Sequence, residues 1–364
     1  MPADKPNVQT QIISDREAIQ QLDQQNVLGS IEALADQVRQ AWKETKNLDL
    51  KLSAKIDNVM VAGMGGSGLG ASVVKHLFKD QFTVPFEVIN SYSLPTYVNQ
   101  NSLVILSSYS GNTEEILSCA DQAKAQHAQI VIITQGGQLA KLAAANHYPI
   151  YLIKPDHNPS QQPRMAIGYA IIGLMGLLQQ AGLITIDQSE IEEVVEAILI
   201  TSQKCRVELE TDSNPAKTLT FNLVDRRPNL VAAEFLIGAI HVSANQFNEN
   251  AKTFAGYYQI PEINHHLLES LRLPTSNKLD NIFVFFSSDL YCQRNQKRVA
   301  LTQKAIDRQN IQTIVIDLIS DTKLAQVFEL ITLMAYTNFY LAMIHGIDPS
   351  KIPTVDWFKQ ELSK

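Results

Sequence analysis

From residue 59 onward the chain alternates short apolar runs with longer stretches whose apolar residues recur at helical spacing. The runs at 59–62, 86–89, 103–106, 130–133 and 150–153 have the length and the Val/Ile content of strands. The stretches at 69–78, 116–126 and 139–145 read as helices. A strand that is apolar through most of its length has both faces buried. Parallel neighbours need a crossover, and the crossover lays a helix on the sheet. The alternation therefore predicts an α/β fold, a doubly wound parallel sheet with flanking helices.

The pattern pauses and then resumes. A polar, proline-marked stretch covers 155–163, and helical patterns follow at 165–180 and 189–209. Strands return at 230–233, 282–286 and 313–316, with helices expected at 237–252, 293–307 and 324–345. Two domains of one architecture are expected, at 58–155 and 229–364. A linker with connecting helices (156–228) joins them, and a helical segment (1–57) precedes them. The halves share no strong residue identity, so the repeat is one of architecture. Trp357 and Phe358 near the end predict a docked terminus.

Composition narrows the chemistry. A length of 364 residues suits about two domains, and 45% hydrophobic residues suffice for sizeable cores. The net charge of −7 and pI ≈ 5.6 argue against a general nucleic-acid binder. The first 57 residues hold seven Lys/Arg against nine Asp/Glu, which is not a basic arm. Cys119, Cys205 and Cys292 are odd in number and lack CxxC spacing, which argues against a disulfide framework and fits a reducing cytoplasm. The start lacks a signal-peptide core. The longest apolar run, 165–178, is too short to span a bilayer, so no membrane is expected. No HExxH or comparable spacing appears, so no metal is expected.

Two turns follow predicted strands. Ser108-Tyr109-Ser110-Gly111-Asn112-Thr113 sits between the strand at 103–106 and a helical pattern opened by Glu114. The first amides of a helix lack partners and its dipole favours an anion, so hydroxyls clustered there suggest a phosphate cradle; an ordinary N-cap is the rival reading. Gly63-Met64-Gly65-Gly66-Ser67-Gly68-Leu69-Gly70 follows the first strand and satisfies GxGxxG, the dinucleotide fingerprint. Glu87 lies at roughly the right distance for a ribose-binding acid. It falls inside the second strand, however, and Asn90 and Ser91 occupy that strand's end. Two hydroxyl-bearing turns at the carboxyl side of one sheet fit a single phosphorylated metabolite better than a dinucleotide. A nicotinamide-dependent oxidoreductase stays as an alternative.

Further chemistry-bearing residues lie downstream. Arg164 sits among prolines just before a helix, where it is either a surface arginine or an oxyanion- or phosphate-binding group. Asn248-Glu249-Asn250 lies near a helix end, and His265 and His266 follow. A Glu and a His in one site suit acid/base chemistry on a sugar. Lys359 closes the series; by itself it reads as a surface lysine.

Taken together, the glycine turn at 63–70, the turn at 108–113, Pro163-Arg164, Asn248-Glu249-Asn250, a His 16 residues after the Glu, and a late Lys resemble the bifunctional phosphoglucose/phosphomannose isomerases of the sugar isomerase (SIS-domain) superfamily. The likeness runs from about residue 58. It implies two SIS domains, a sugar 6-phosphate substrate between them, no cofactor, a homodimer, and a cytoplasmic place in glycolysis and gluconeogenesis. It implies that Gly66, Ser67, Ser108, Ser110 and Thr113 hold the phosphate and that Glu249 is the base. It implies that His265 assists ring opening at the partner subunit's site, with His266 as its rival, and that Lys359 joins it there. Arg164 would stabilise the enediolate. A non-catalytic sugar-phosphate-binding regulator is the second alternative.

Overall fold

The computed structural model describes residues 12–52, 55–362 and 364. Residues 1–11 and 53–54 of the expected N-terminal helical segment lie outside the described residues. The rest of that segment forms α1 (Arg16–Leu22), α2 (Val27–Glu32) and α3 (Leu34–Thr45). Asp15 caps α1 by accepting from the amides of Glu17 and Ala18. Leu34, Val38, Ala41 and Trp42 recur at helical spacing on α3 and are buried.

The first sheet is built from β1 (Asn58–Gly63), α4 (Gly65–Leu77), β2 (Phe86–Ile89), β3 (Ser102–Ser107), α5 (Glu114–Ala125), β4 (Gln129–Thr134), α6 (Gly137–Asn146) and β5 (Ile150–Leu152). Its strands are parallel, in the order β2-β1-β3-β4-β5. Successive residues face opposite sides. Val59, Val61, Leu103 and Ile105 enter the main core, whereas Met60, Ala62, Val104 and Leu106 enter a second core with residues of α5 and α6. This is why the strands read as unbroken apolar runs. Helix α4 starts at Gly65, four residues before the expected start, so the glycine motif forms its first turns.

The connecting helices are α7 (Ile167–Gln180), α8 (Gln188–Cys205) and α9 (Pro215–Leu223). Helix α8 stops short of the expected 209 because Arg206 is extended. The ammonium of the buried Lys217 instead donates to the carbonyls of Val207 and Leu209, at 2.7 Å each.

The second sheet comprises β6 (Arg227–Ala233), α10 (Ile237–Glu249), β7 (Gly256–Ile260), α11 (Ile263–His266), α12 (Asn277–Asp280), β8 (Asn281–Ser287), α13 (Gln293–Asp307) and β9 (Gln312–Asp317), followed by α14 (Lys323–Ile344) and α15 (Pro353–Leu362). Its order, β7-β6-β8-β9, repeats the second-first-third-fourth arrangement of the first sheet, again in parallel. Strand β7 is absent from the sequence expectation. It is a half-exposed edge strand whose residues, Gly-Tyr-Tyr-Gln-Ile, make no apolar run. Helix α10 ends at Glu249 rather than 252, because Lys252 is left-handed (φ 50°) and the Thr253 amide turns back to the Phe247 carbonyl.

The two halves pack directly. Helix α10 lies against α4, where Nδ1 of His241 is 3.2 Å from the Ser72 hydroxyl. Helix α14 is long and apolar enough to cross a membrane by length and composition, yet it is buried against α8, α9 and α10. The expected docking of the C-terminus is not observed. No residue of α15 is buried, and Trp357 and Phe358 are 60% and 57% exposed. The apolar side chains Val355, Phe358 and Leu362 face an open cavity instead of a packed core.

Candidate active site

The turn at 108–113 is shaped by its own hydroxyls. Ser108 is buried; its Oγ accepts from the Gly111 amide at 3.1 Å and lies 2.7 Å from Oγ1 of Thr113. Thr113 occupies the N-cap position of α5 but makes no side-chain cap bond, which leaves the helix amides uncapped from that residue. The left-handed Gly111 (φ 70°) is where a Cβ would lie 1.9 Å from the Gly136 carbonyl oxygen, so only glycine fits. Ser67, on the first turn of α4, accepts from the Tyr109 amide at 2.9 Å and thereby joins the two strand-end turns. Asn90 donates to the Gly63 carbonyl at 2.5 Å, and Glu87, within β2, accepts from the Tyr97 hydroxyl.

Arg164 is 1% exposed, which excludes the surface reading. Its backbone lies against Gly66, where a Cβ would come within 2.9 Å of the Arg164 amide nitrogen. All five guanidinium N–H groups have acceptors. Nε donates to Asn250 Oδ1 (2.5 Å), and Nη1 donates to Gln162 Oε1 (2.8 Å) and Glu249 Oε2 (3.3 Å). Nη2 donates to the carbonyls of Pro349 (2.8 Å) and Ser350 (2.9 Å). Burial pulls the guanidinium below its ordinary pKa, while the charges of Glu249, Asp348 and Asp356 oppose that shift.

The two asparagines that flank Glu249 divide the bracing. Asn248 exchanges hydrogen bonds with the backbone of Ala255, fixing the turn after α10. Asn250 is buried and holds Arg164. Glu249 ends α10 between them, with its side chain 31% exposed. Nearby, Lys252 donates to the Asp348 carbonyl at 2.8 Å. Burial and the Arg164 charge pull it down to about 8, against the opposing pull of Asp348 and Glu249.

The two turns, Arg164 and Glu249 converge on a cavity of ≈ 830 Å³ between the halves. Gly66, Ser67, Ser110, Thr113, Arg164, Glu249 and Lys359 all line it, with Glu114 and Glu115 at the start of α5. Ser108 stands behind the surface, committed to Thr113. Lys359 reaches its own chain's cavity from α15. His265 and His266 are not there: both are exposed on α11, and His266 lines a separate pocket with His76 and Tyr257. Among the described residues, no group of three or more His, Cys, Asp or Glu could hold a metal ion.

This arrangement has relatives. The SIS domain family model matches residues 52–172, and the model described as bacterial phospho-glucose isomerase C-terminal SIS domain matches residues 212–362. A bifunctional phosphoglucose/phosphomannose isomerase from Caldicellulosiruptor bescii is 32% identical over 344 residues, covering 92% of this chain and 98% of that protein. The chain belongs to the bifunctional phosphoglucose/phosphomannose isomerase family. Its counterpart from Thermoplasma volcanium is 29% identical over 85% of this chain and 92% of that protein. In fold alone, a hypothetical protein from Thermus thermophilus superposes with a TM-score of 0.75 at 14% identity, covering 97% and 94% of the two chains.

Sequence reasoning missed Gln162, Gln246, Lys252, Asn338 and the backbone of residues 349–350, all of which touch Arg164 or its partners. One of them left a readable signal. Asn338 is the one asparagine within the long apolar helix α14, where an unpaired polar group would be costly.

Proposed function

We propose that this chain is an aldose–ketose isomerase that interconverts glucose 6-phosphate, and mannose 6-phosphate, with fructose 6-phosphate. The observation that carries this reading is the convergence, in one cavity, of Glu249 from the second half and the hydroxyl-bearing turns of the first half. In the proposed reaction the phosphate sits at Gly66, Ser67, Ser110 and Thr113, with Ser108 shaping the cradle from behind. That remote anchor orients the reacting carbons. With the open-chain aldose bound, Glu249 takes the C2 proton, and the electron pair moves to make a cis-enediolate with charge on O1. The O2 proton passes to O1, and the Glu249 carboxyl returns its proton to C1 as C2–O2 becomes the carbonyl. Arg164 contributes positive charge beside Glu249 for the enediolate. Lys359 serves ring opening from α15. His265 serves it from the partner subunit of a homodimer, a reading supported by its absence from the lining of its own chain's cavity. The chemistry proposed calls for no metal or cofactor, and its setting is the cytoplasm.

Glu249→Gln is the direct test. With fructose 6-phosphate and each aldose 6-phosphate, wild-type turnover should fall by orders of magnitude in the variant while sugar-phosphate affinity stays near wild type. Turnover near wild type in Glu249→Gln would sink the base assignment. Binding without turnover in the wild type would favour the regulator reading, and NAD(P) binding the oxidoreductase.

A further inference from the structure

Behind the cavity, the contacts of Arg164 close into a ring. Arg164 Nε donates to Asn250 Oδ1 (2.5 Å), and Asn250 Nδ2 donates to Asn338 Oδ1 (2.9 Å). Asn338 Nδ2 donates to Gln246 Oε1 (3.3 Å), and Gln246 Nε2 donates to the backbone carbonyl of Arg164 (3.1 Å). All four residues are at most 1% exposed. The circuit runs in one direction. Turning any one amide over would set two donors or two acceptors face to face at both of its ends, so each amide fixes its neighbours. Asn338 adds a bond to the Met334 carbonyl (2.6 Å), which anchors the ring in the middle of α14.

The ring holds the guanidinium from the side away from the cavity, while Nη1 meets Glu249 on the cavity side. Gln246 and Asn338 do not line the cavity. From this geometry we infer that Gln246 and Asn338 are positioning residues for the isomerisation: they set the plane of Arg164 and, through it, the carboxylate of Glu249. The inference rests on the function proposed above. A general reason favours it. A site held within about half an ångström needs side chains whose own orientations are locked, and a small misplacement of a catalytic group costs on the order of 100-fold in rate.

The test is a double-mutant cycle of Asn338→Leu and Gln246→Met, with fructose 6-phosphate as substrate. The wild-type assay is read first: absence of wild-type isomerase activity would defeat the proposed function, independently of the cycle. With wild-type activity present, each single variant should lose roughly 10- to 100-fold in kcat, with KM within about 3-fold of wild type. The double variant should be no worse than about 3-fold below the weaker single, because one ring can be broken only once. Thermal unfolding supplies the folded fraction for each kcat. Wild-type kcat per folded molecule in either single variant, losses that multiply in the double, or a loss confined to KM would each overturn the inference. If Asn338→Leu does not accumulate folded, Gln246→Met alone decides: a folded Gln246→Met with wild-type kcat defeats it.

Discussion

Replacing Arg164 by lysine keeps the charge and removes the fork. In the structure three nitrogens of Arg164 serve five acceptors that come from the linker, from the last residue of α10 and the one after it, and from the loop before α15. A lysine ammonium has three N–H donors at one point, so at least two acceptors lose their partner. The contact with Glu249 counts little here, because that carboxylate is 31% exposed and 3.3 Å away. The bonds to Asn250, Pro349 and Ser350 are buried, and these decide the cost. A hydrogen bond to a charged group contributes about 1.5–3 kcal/mol, so losing two costs about 3–6 kcal/mol. Urea unfolding followed by far-ultraviolet circular dichroism should show Arg164→Lys destabilised within that range. Isomerase turnover should fall at least tenfold, because Glu249 loses its fixed partner. A loss of stability below about 1 kcal/mol together with unchanged turnover would refute the reasoning, since it would mean that the five contacts are not made in solution.

Thr113→Ala removes a hydroxyl from the cavity wall and the partner of Ser108. Calorimetric titration with fructose 6-phosphate should show weakened affinity in this variant, while kcat at saturating substrate changes little; unchanged affinity would remove the cradle. His76 and His241 lie where α4 meets α10, and burial lowers the pKa of both below the ordinary 6.5. For His76 the hydrogen bond with the Ser72 carbonyl opposes the shift, while the neighbouring charges of Lys75 and Lys79 act with burial; for His241 the charge of His76 does. A folded pKa below the unfolded one means that the unfolded chain binds protons first. Stability is therefore held above about pH 6.5 and lost as pH falls below it. The thermal midpoint should drop between pH 7.5 and 5.5, and His241→Gln should flatten that drop. An unchanged profile in the variant would clear His241 of the effect.

The sequence made some of this site legible for a local reason. The hydroxyl turn and the glycine motif each occupy a few consecutive residues at a strand end, and strand ends are marked by apolar runs. Asn248, Glu249 and Asn250 are likewise neighbours in the chain, so their types could be read before their roles. Arg164 was ambiguous, because burial is not written beside it: the groups that bury it come from residues 249–250 and 349–350. Strand β7 escaped because an edge strand with one face in water has no apolar run to announce it. The exposure of Trp357 and Phe358 on α15 escaped because Trp and Phe promise burial only when a partner surface exists to cover them.

By itself, then, the sequence determined the two parallel α/β halves and the chemistry stored in their turns. Both follow from periodicity and short motifs, which act between near neighbours in the chain. Only the tertiary structure decided that Glu249 faces the turn at 108–113, that Lys359 enters its own chain's cavity, and that His265 stands apart from both. It also decided that a lone asparagine in the apolar helix α14 belongs to a hydrogen-bonded ring around Arg164. Hydrogen bonds between distant amides depend on how helices pack and on which amide faces which. No repeat in the chain encodes that, so the folded arrangement alone supplies it.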